Sequence, residues 1–313
     1  MRLALGLAWP IAVVACSLQL LCAQDLAPRA YVITPLHANA VTVTYGFYDG
    51  ALLFNGVVPI SNATGKYNVP VLSYYHSFKM FGHFANITAS LPYAVGNFTG
   101  DFKLVPQGIY RSGLLDSTYR LAVNLKGGPP LEAPEFHKWH QKTLIGVSLK
   151  ILAPTGQYDE TKLINWGANR WAFKPELGYS ERWGKIVLDA YGGVWFYTTN
   201  PNFFDHNNFF PGTEAQSQKP IGTFEGHLSY DWKLRTWVSL DGNFWYGGVT
   251  SLNGVANLAS RQTGSRIGVT GSVRLDKHQS IKVSYSNGTY IRFGGDYQNV
   301  SFAWQYSWIG RPK

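Results

Sequence analysis

One stretch of the chain decides the fold: residues 143–153, TLIGVSLKILA, place an apolar side chain at every second position. The odd-numbered positions from Ile145 to Ile151 are all apolar, whereas the even-numbered positions between them carry Gly146, Ser148 and Lys150. Successive side chains of a β-strand point to opposite faces, so this pattern predicts a strand with one apolar and one polar face. The polar face requires water, because an apolar core would make the lysine charge costly.

The same alternation recurs in other parts of the chain, and together these segments predict twelve strands. The last of them brings large apolar side chains to one face just before the C-terminus. It resembles the signal by which the barrel-assembly machinery of the bacterial outer membrane recognises its substrates. The further segments are residues 41–48, 69–78, 84–91, 119–125, 171–182, 188–196, 224–232, 238–246, 267–273, 279–287 and 300–308.

The composition places such a sheet between two solvents. Aromatic residues make up 15% of the chain and charged residues only 14%, which suits lipid outside a barrel and water inside it. After residue 23 the chain contains no run of 18 apolar residues, so the sequence predicts no transmembrane helix there. A closed sheet is the other structure that satisfies every backbone group in hydrocarbon. We therefore expect an all-β fold, a transmembrane antiparallel up-and-down β-barrel of about 12 strands, formed by residues 24–313 as a single domain.

The N-terminal residues indicate the cellular location of the protein. A basic residue is followed by a mostly apolar stretch up to Ala23 and then by polar residues, which predicts a cleaved secretory signal peptide at residues 1–23. Both cysteines, Cys16 and Cys22, lie inside it, so the mature chain would contain no thiol. A lipoprotein box at residues 13–16 is the alternative, but lipidation there would leave further apolar residues on the mature protein. The expected location is the outer membrane of a Gram-negative bacterial cell.

The connections between the predicted strands alternate in length, as they do in bacterial barrels with short periplasmic turns and longer external loops. Short turns are expected near residues 79–82, 183–185, 233–236 and 276–279, and every external connection, including that between the last two strands, is predicted to be a loop. One periplasmic connection is long, and a proline near its middle indicates a short helix at about residues 133–142. A soluble β-sandwich would alternate too, but it would not require the signal peptide, the even strand count and the terminal aromatic strand together.

Several stretches resemble the family described as "Putative MetA-pathway of phenol degradation", a set of bacterial outer-membrane barrels associated with transport. This sequence has Leu115 where the family usually has glycine in the first of these motifs. The resemblance implies an outer-membrane transporter whose solutes are aromatic compounds, and it carries over no functional residue. The matching stretches are residues 113–116 (GLLD), 120–125 (RLAVNL), 153–158 (APTGQY), 169–176 (NRWAFKPE), 294–296 (GGD) and 303–306 (AWQY).

The candidate solute contacts are the ionisable and aromatic residues on the polar faces of the predicted strands, because these faces line the lumen. Their basic excess favours anions, and the aromatic rings would stack against a solute. The alternative is that the charges pair across neighbouring strands and close the barrel with salt bridges. The candidates are the basic Arg120, Lys150, Lys174, Arg266, Arg274 and Lys282, the acidic Glu176, Asp189, Glu225 and Asp241, and the aromatic Tyr191 and Trp195.

The function expected from these features is facilitated diffusion of small solutes, some of them aromatic or hydrophobic organic compounds, through a monomeric channel surrounded by outer-membrane lipids and lipopolysaccharide. The net charge of +9 is spread along the chain and marks no nucleic-acid surface. No catalytic set, metal site or cofactor is predicted, since His137 and His140 beside Glu132 and Glu135 match no catalytic zinc motif. Two alternatives stay open: a phospholipase-like outer-membrane hydrolase, and a closed structural barrel.

Overall fold

The computed structural model describes residues 26–53, 60–102, 104–162, 164–206, 211–233 and 236–310. The signal peptide predicted at residues 1–23 lies outside these residues. Within the described chain the structure is almost entirely β-sheet. Its strands are β1 (Ala38–Leu53), β2 (Ile60–Met80), β3 (His83–Phe102), β4 (Val105–Leu114), β5 (Ser117–Lys126), β6 (Thr143–Ala153), β7 (Ala172–Trp183), β8 (Ile186–Tyr197), β9 (Asn200–His206), β10 (Pro211–Gln218), β11 (Ile221–Lys233), β12 (Thr236–Gly247), β13 (Thr250–Leu252), β14 (Val255–Asn257), β15 (Gln262–Arg274), β16 (Gln279–Ile291) and β17 (Gly294–Ile309).

Twelve of these strands close into a barrel. Each pairs antiparallel with the next barrel strand along the chain, in the order β1, β2, β3, β5, β6, β7, β8, β11, β12, β15, β16 and β17. β17 then returns to β1, with Ala38 opposite Ile309 and Leu53 opposite Gly294. The predicted twelve-stranded, closed antiparallel barrel is confirmed, and each predicted strand lies within or across one of these twelve.

The alternation of side chains sorts the barrel into an apolar outside and a polar inside. Leu177, Leu228 and Leu240 point outward and are at least half exposed. The residues between such positions point into the lumen, where small, hydroxyl and charged side chains dominate. Among the described residues, no helix is long and apolar enough to cross a membrane.

The two ends of the barrel differ. The turn end carries the tight hairpins, such as that at Phe81 and Gly82, where the positive φ of Gly82 suits a residue without a side chain. It also carries the start of β1, the end of β17 and the helix α1 (Ala133–Phe136), which covers only the first part of the helix predicted at 133–142. The loop end carries the remaining connections, and there β4 extends the barrel wall beyond β5 by pairing with β3.

The loop end also holds structure that the sequence pattern did not reveal. The strands β9, β10, β13 and β14 form a separate four-stranded sheet from two connections. They are short or lack the alternation that a membrane-spanning strand shows. The predicted loop between the last two barrel strands is wrong, because β16 and β17 are separated only by Arg292 and Phe293. Beyond Ser286 and Asn299 the polar outer parts of β16 and β17 pair with β15 and β1 instead of with each other, and they lack the apolar alternation from which strands were predicted.

Candidate functional site

A segment of chain before β1 occupies part of the barrel interior. We call residues 26–37 the lumenal segment. The ring of Tyr31 lies in a slot made by Gly146 on β6 and Gly178 on β7, which face each other directly across the two strands. A Cβ on either glycine would fall within 3.0 Å of that ring, so the slot exists only because both positions lack a side chain. Tyr31 is consequently almost fully buried inside the lumen.

Hydrogen bonds fix Arg29 and Tyr31 of the lumenal segment to one side of the barrel, whereas Thr34 bonds to Tyr75 on β2 at 2.9 Å. The Tyr31 hydroxyl donates to Glu176 Oε1 at 3.0 Å, and the backbone N–H of Arg29 donates to Asp189 Oδ2 at 3.1 Å. The Arg29 guanidinium pairs with Asp231 at 2.6 Å and lies over the Trp237 ring, 4.6 Å from its centroid. The segment is therefore held by both ionic and aromatic contacts over several residues.

The side of the lumen beneath this segment is a network of charges, which we call the charged wall: the inward side chains of β6, β7, β8, β11 and β12. Lys174 Nζ lies 2.7 Å from Glu176 and 2.9 Å from Glu225, and all three side chains are buried. His227 Nδ1 lies 2.9 Å from Asp241, and its other ring nitrogen faces Glu225 at 3.7 Å. The charges on this wall therefore pair within a strand, between the neighbouring strands β11 and β12, and between β7 and β11 across the intervening β8.

The opposite side of the lumen carries mostly neutral side chains. We call it the hydroxyl wall: the inward side chains of β1, β2, β3, β16 and β17. Ser73 and Ser90 are joined at 2.8 Å across β2 and β3, and Ser284 and Ser301 at 2.6 Å across β16 and β17. In the part of the chain that the structure describes, Lys282 is the charged residue of this wall that borders a cavity.

Two cavities follow one another along the lumen. The loop-end cavity has a volume of about 520 Å³ and the turn-end cavity one of about 1150 Å³. Thr88 on β3 and Lys282 on β16 border both, so the two cavities adjoin at these residues. The loop-end cavity also has an aromatic lining, formed by Tyr48, Trp166, Tyr197 and Tyr297.

The predicted site residues divide between the cavities and the covered wall. Tyr191 and Trp195 face inward but are fully buried: Tyr31 packs edge-on against Tyr191 with centroids 5.2 Å apart, and Trp195 packs with Trp245. Neither ring is available to stack on a solute, because the lumenal segment or neighbouring side chains cover it. Arg120, Lys150, Asp241, Arg266, Arg274 and Lys282 border a cavity, whereas Lys174, Glu176, Asp189, Tyr191, Trp195 and Glu225 border neither.

A carboxylate that was not among the predicted site residues closes part of the loop end over the cavity. Asp116 accepts hydrogen bonds from the backbone N–H of Gly156 and of Ala168, both at 2.9 Å. Desolvation raises the pKa of Asp116 to about 6, although these two N–H groups and Arg170 act in the opposite direction. We call Asp116, Gly156 and Ala168 the clasp, since they join two connections, the one between β4 and β5 and the one between β6 and β7.

The clasp brings together three of the stretches that carried the family resemblance. Asp116 ends the GLLD stretch, Gly156 lies in APTGQY, and Ala168 directly precedes NRWAFKPE. From the last stretch, Arg170 lies over the Tyr197 ring at 4.6 Å and donates a hydrogen bond to Gln218. The sequence signal for Asp116 and Arg170 was therefore present in the shared motifs, but neither residue lies on a predicted strand face.

The described residues do not assemble a metal centre, and the lumenal histidine that pairs with a carboxylate is buried. Within them no group of three histidine, cysteine, aspartate or glutamate side chains is placed to hold a metal ion. His227 is the histidine that pairs with a carboxylate in the lumen, but its side chain is fully buried and both ring nitrogens face carboxylates. Because its side chain is fully buried, a substrate cannot reach a serine that His227 would activate.

Comparisons with known proteins agree with this architecture. The sequence profile of the family described as "Putative MetA-pathway of phenol degradation" matches residues 41–305. The structure is similar to the COG4313 outer membrane channel from Pseudomonas putida F1, with a TM-score of 0.71 and 16% identity over 91% of this chain and 100% of that chain. It also resembles the β domain of the Bordetella autotransporter BrkA, with a TM-score of 0.51 and 12% identity over 87% and 100% of the two chains. No functionally curated protein matches the sequence.

Proposed function

The chain belongs to the "Putative MetA-pathway of phenol degradation" family, and from that premise we propose that it is a channel in the bacterial outer membrane. In this proposal small solutes cross by facilitated diffusion, and aromatic and other hydrophobic organic molecules are the favoured class. The barrel is a monomer surrounded by outer-membrane lipids and lipopolysaccharide, and the barrel-assembly machinery inserts it. It carries out no chemical step and requires no cofactor.

One observation carries the proposal: the two lumenal cavities adjoin at Thr88 and Lys282. A barrel that served only as a structural element would gain stability by filling this volume with side chains, as the charged wall does on the other side. Here the hydroxyl wall leaves it unfilled, and serine and threonine side chains can exchange hydrogen bonds with water or solute as either passes. A continuous water-filled path along one wall is what a diffusion channel needs.

The aromatic lining supports organic solutes. Tyr48 stacks on Tyr67 with centroids 4.8 Å apart, and Tyr297 meets Tyr48 edge-on at 5.2 Å. Tyr48, Tyr297, Trp166 and Tyr197 all border the loop-end cavity, so flat rings approach it from several sides. An aromatic solute would find ring faces and edges there, which favour offset and T-shaped contacts. A sugar of similar size would gain less from them.

A hydrolase is the second candidate function, and the burial of His227 argues against it. Outer-membrane hydrolysis would require a histidine and a nucleophile that lipid or peptide substrates can reach. His227 lies in the charged wall with both ring nitrogens facing carboxylates. The closed structural barrel is the remaining alternative, and the experiment below separates it from the channel.

The experiment is to refold residues 24–313 and measure flux. Insertion into planar bilayers should give discrete current steps, and proteoliposomes should take up benzenesulfonate, an aromatic anion that crosses lipid poorly, faster than arabinose. A folded, heat-modifiable barrel that passes neither ions nor benzenesulfonate would contradict the channel and leave the structural barrel. Equal uptake of both solutes would contradict the aromatic preference alone.

A further inference from the structure

Lys282 occupies the junction of the two cavities. It lies on β16 opposite Ser272 of β15 and Ala303 of β17, and its side chain is exposed to the lumen. Thr88 is the other residue that borders both cavities, and it is neutral. Any solute that moves between the loop-end and turn-end cavities therefore passes close to one fixed positive charge.

The Lys282 ammonium forms no ion pair with the side chains around it. Across the described chain, no carboxylate lies within ion-pair distance of Lys282. Asp241 borders the loop-end cavity too, but it already accepts hydrogen bonds from Ser239 and Thr270 at 2.6 Å each and contacts His227 at 2.9 Å. These partners occupy the carboxylate, so Asp241 acts on Lys282 only by Coulomb attraction over more than ion-pair distance.

Two further lumenal cations, Lys174 and Arg120, are committed to protein groups. Lys174 is held between Glu176 and Glu225. Arg120 donates to the Ala30 carbonyl and lies over the Tyr31 ring, 4.8 Å from its centroid. These cations stabilise the charged wall and the lumenal segment, and neither lies at the junction of the cavities.

The surroundings of Lys282 supply neutral donors in both directions along the path. Ser284 and Ser301 border the loop-end cavity and share one hydrogen bond, which leaves one O–H of the pair to donate elsewhere, whereas Ser272 borders the turn-end cavity. A hydroxyl can turn its O–H toward an anion and so replace part of the water that the anion loses. One cation flanked by hydroxyls suits a group that carries one negative charge and accepts several hydrogen bonds.

We propose that Lys282 and its flanking hydroxyls form a binding site for the anionic group of a small organic monoanion, such as a carboxylate, sulfonate or phenolate. The inference rests on the proposed function and narrows its solute class. The aromatic part of the solute would lie toward Tyr48 and Tyr297, and its charge would reach the junction. Binding at one unpaired charge is weak enough to release the solute into the turn-end cavity, as conduction requires.

The first test is ion selectivity in a salt gradient. Wild-type protein is expected to be anion-selective, Lys282→Gln should lower the anion-to-cation permeability ratio by roughly threefold, and Lys282→Arg should retain it. Lys66→Gln is the matched control, because Lys66 is an exposed loop-end lysine paired with Asp49 outside the lumen, and it should behave as wild type. A conducting Lys282→Gln channel with unchanged selectivity would overturn the proposal.

A second test does not depend on conduction. The lysines are converted to ¹³C-dimethyl-lysine, the Lys282 resonance is assigned by its absence in Lys282→Gln, and benzenesulfonate is titrated. A saturable shift of that resonance, with none for benzyltrimethylammonium, is the expected result. A Lys282 resonance that does not respond to the anion overturns the binding site, even in a barrel that conducts. An electrically silent barrel that still shows the shift would refute the proposed channel and leave the site standing.

Discussion

The two walls of the lumen use polar side chains for opposite purposes. On the charged wall Lys174, Glu176 and Glu225 satisfy one another and are covered. On the hydroxyl wall Ser284 and Ser301 make a single local contact and remain beside open space. Both walls come from strands with the same alternation, so the alternation alone does not make an inward residue functional. What distinguishes the walls is whether another part of the chain lies on top.

The lumenal segment creates this difference. Tyr31 enters the glycine slot of β6 and β7, and the bonds of Arg29 to Asp189 and Asp231 hold the chain on the same side. The segment thus covers part of the charged wall, whereas Lys150 and Asp241 of the same wall still border the loop-end cavity. The proposed channel assigns stabilisation mainly to the charged wall and the solute path to the hydroxyl wall, and the following predictions test that division.

The largest effect is expected from removing the central cation of the charged wall. Lys174→Met leaves Glu176 and Glu225 buried without their shared partner and should lower the free energy of unfolding by about 3–5 kcal/mol. The matched variant Lys282→Met, on the hydroxyl wall, should change it by less than about 0.5 kcal/mol. Urea unfolding followed by tryptophan fluorescence measures both. Equal losses in the two variants would remove the energetic distinction between the walls.

The next effect concerns the clasp, which closes part of the loop end. The pKa of Asp116 is raised from 3.8 to about 6, so the folded clasp binds a proton more tightly than the unfolded chain does. Its contribution to stability is complete below pH 3.8 and is lost as the pH rises through about 6. The loss should be at most about 3 kcal/mol. Thermal unfolding between pH 3.5 and 7 should show this decline in wild type and a flatter profile in Asp116→Asn. Parallel pH profiles for the two proteins would show that Asp116 does not titrate in this range.

A smaller effect is expected when the lumenal segment loses its anchor. Tyr31→Ala empties the glycine slot and removes the bond to Glu176, so the segment should move and the single-channel conductance should rise several-fold. Tyr45→Ala, which removes an outward-facing ring from β1, is the control and should leave the conductance unchanged. Conductance in planar bilayers measures both variants. An unaltered conductance in Tyr31→Ala would mean that the segment does not limit the path.

The smallest effect is expected from removing one hydroxyl group on the hydroxyl wall. Ser284→Ala removes the contact with Ser301, but lumenal water can replace it, and the cost should be below about 1 kcal/mol. Ser148→Ala, on the charged wall, removes a contact with the Tyr31 hydroxyl at 3.0 Å in a buried setting and should cost more. Unfolding free energies give the ranking. A larger loss in Ser284→Ala than in Ser148→Ala would reverse the assignment of the two walls.

The barrel could be predicted well from the sequence, because each strand is marked by the alternation of its own residues. The alternation in residues 143–153 and in the terminal aromatic strand specifies which side chains face lipid, and the antiparallel closure follows from pairing neighbours in order. The strands β9, β10, β13 and β14 were missed for the same reason, since they lie above the barrel and face no lipid. Their residues carry no alternation to read.

The candidate site was predicted less completely, because whether an inward side chain is covered by another part of the chain does not depend on its sequence neighbours. Glu225 and Lys282 both alternate with apolar neighbours, yet one is buried in the charged wall and the other borders both cavities. The difference depends on the lumenal segment and on cross-strand partners, and residues 26–37 show no pattern that marks them as lumenal. Asp116 was missed because it acts from a connection between strands.

The central claim is that the path follows the hydroxyl wall and avoids the charged wall, and cysteine accessibility tests it most directly. Residues 24–313 contain no cysteine, so Ser284→Cys and Ser301→Cys can be compared with Ser148→Cys and Ser229→Cys, all close to isosteric, during exposure to a charged methanethiosulfonate reagent. The current should fall in the first pair and stay constant in the second. Block at Ser148→Cys and Ser229→Cys, with Ser284→Cys and Ser301→Cys unaffected, would contradict the account.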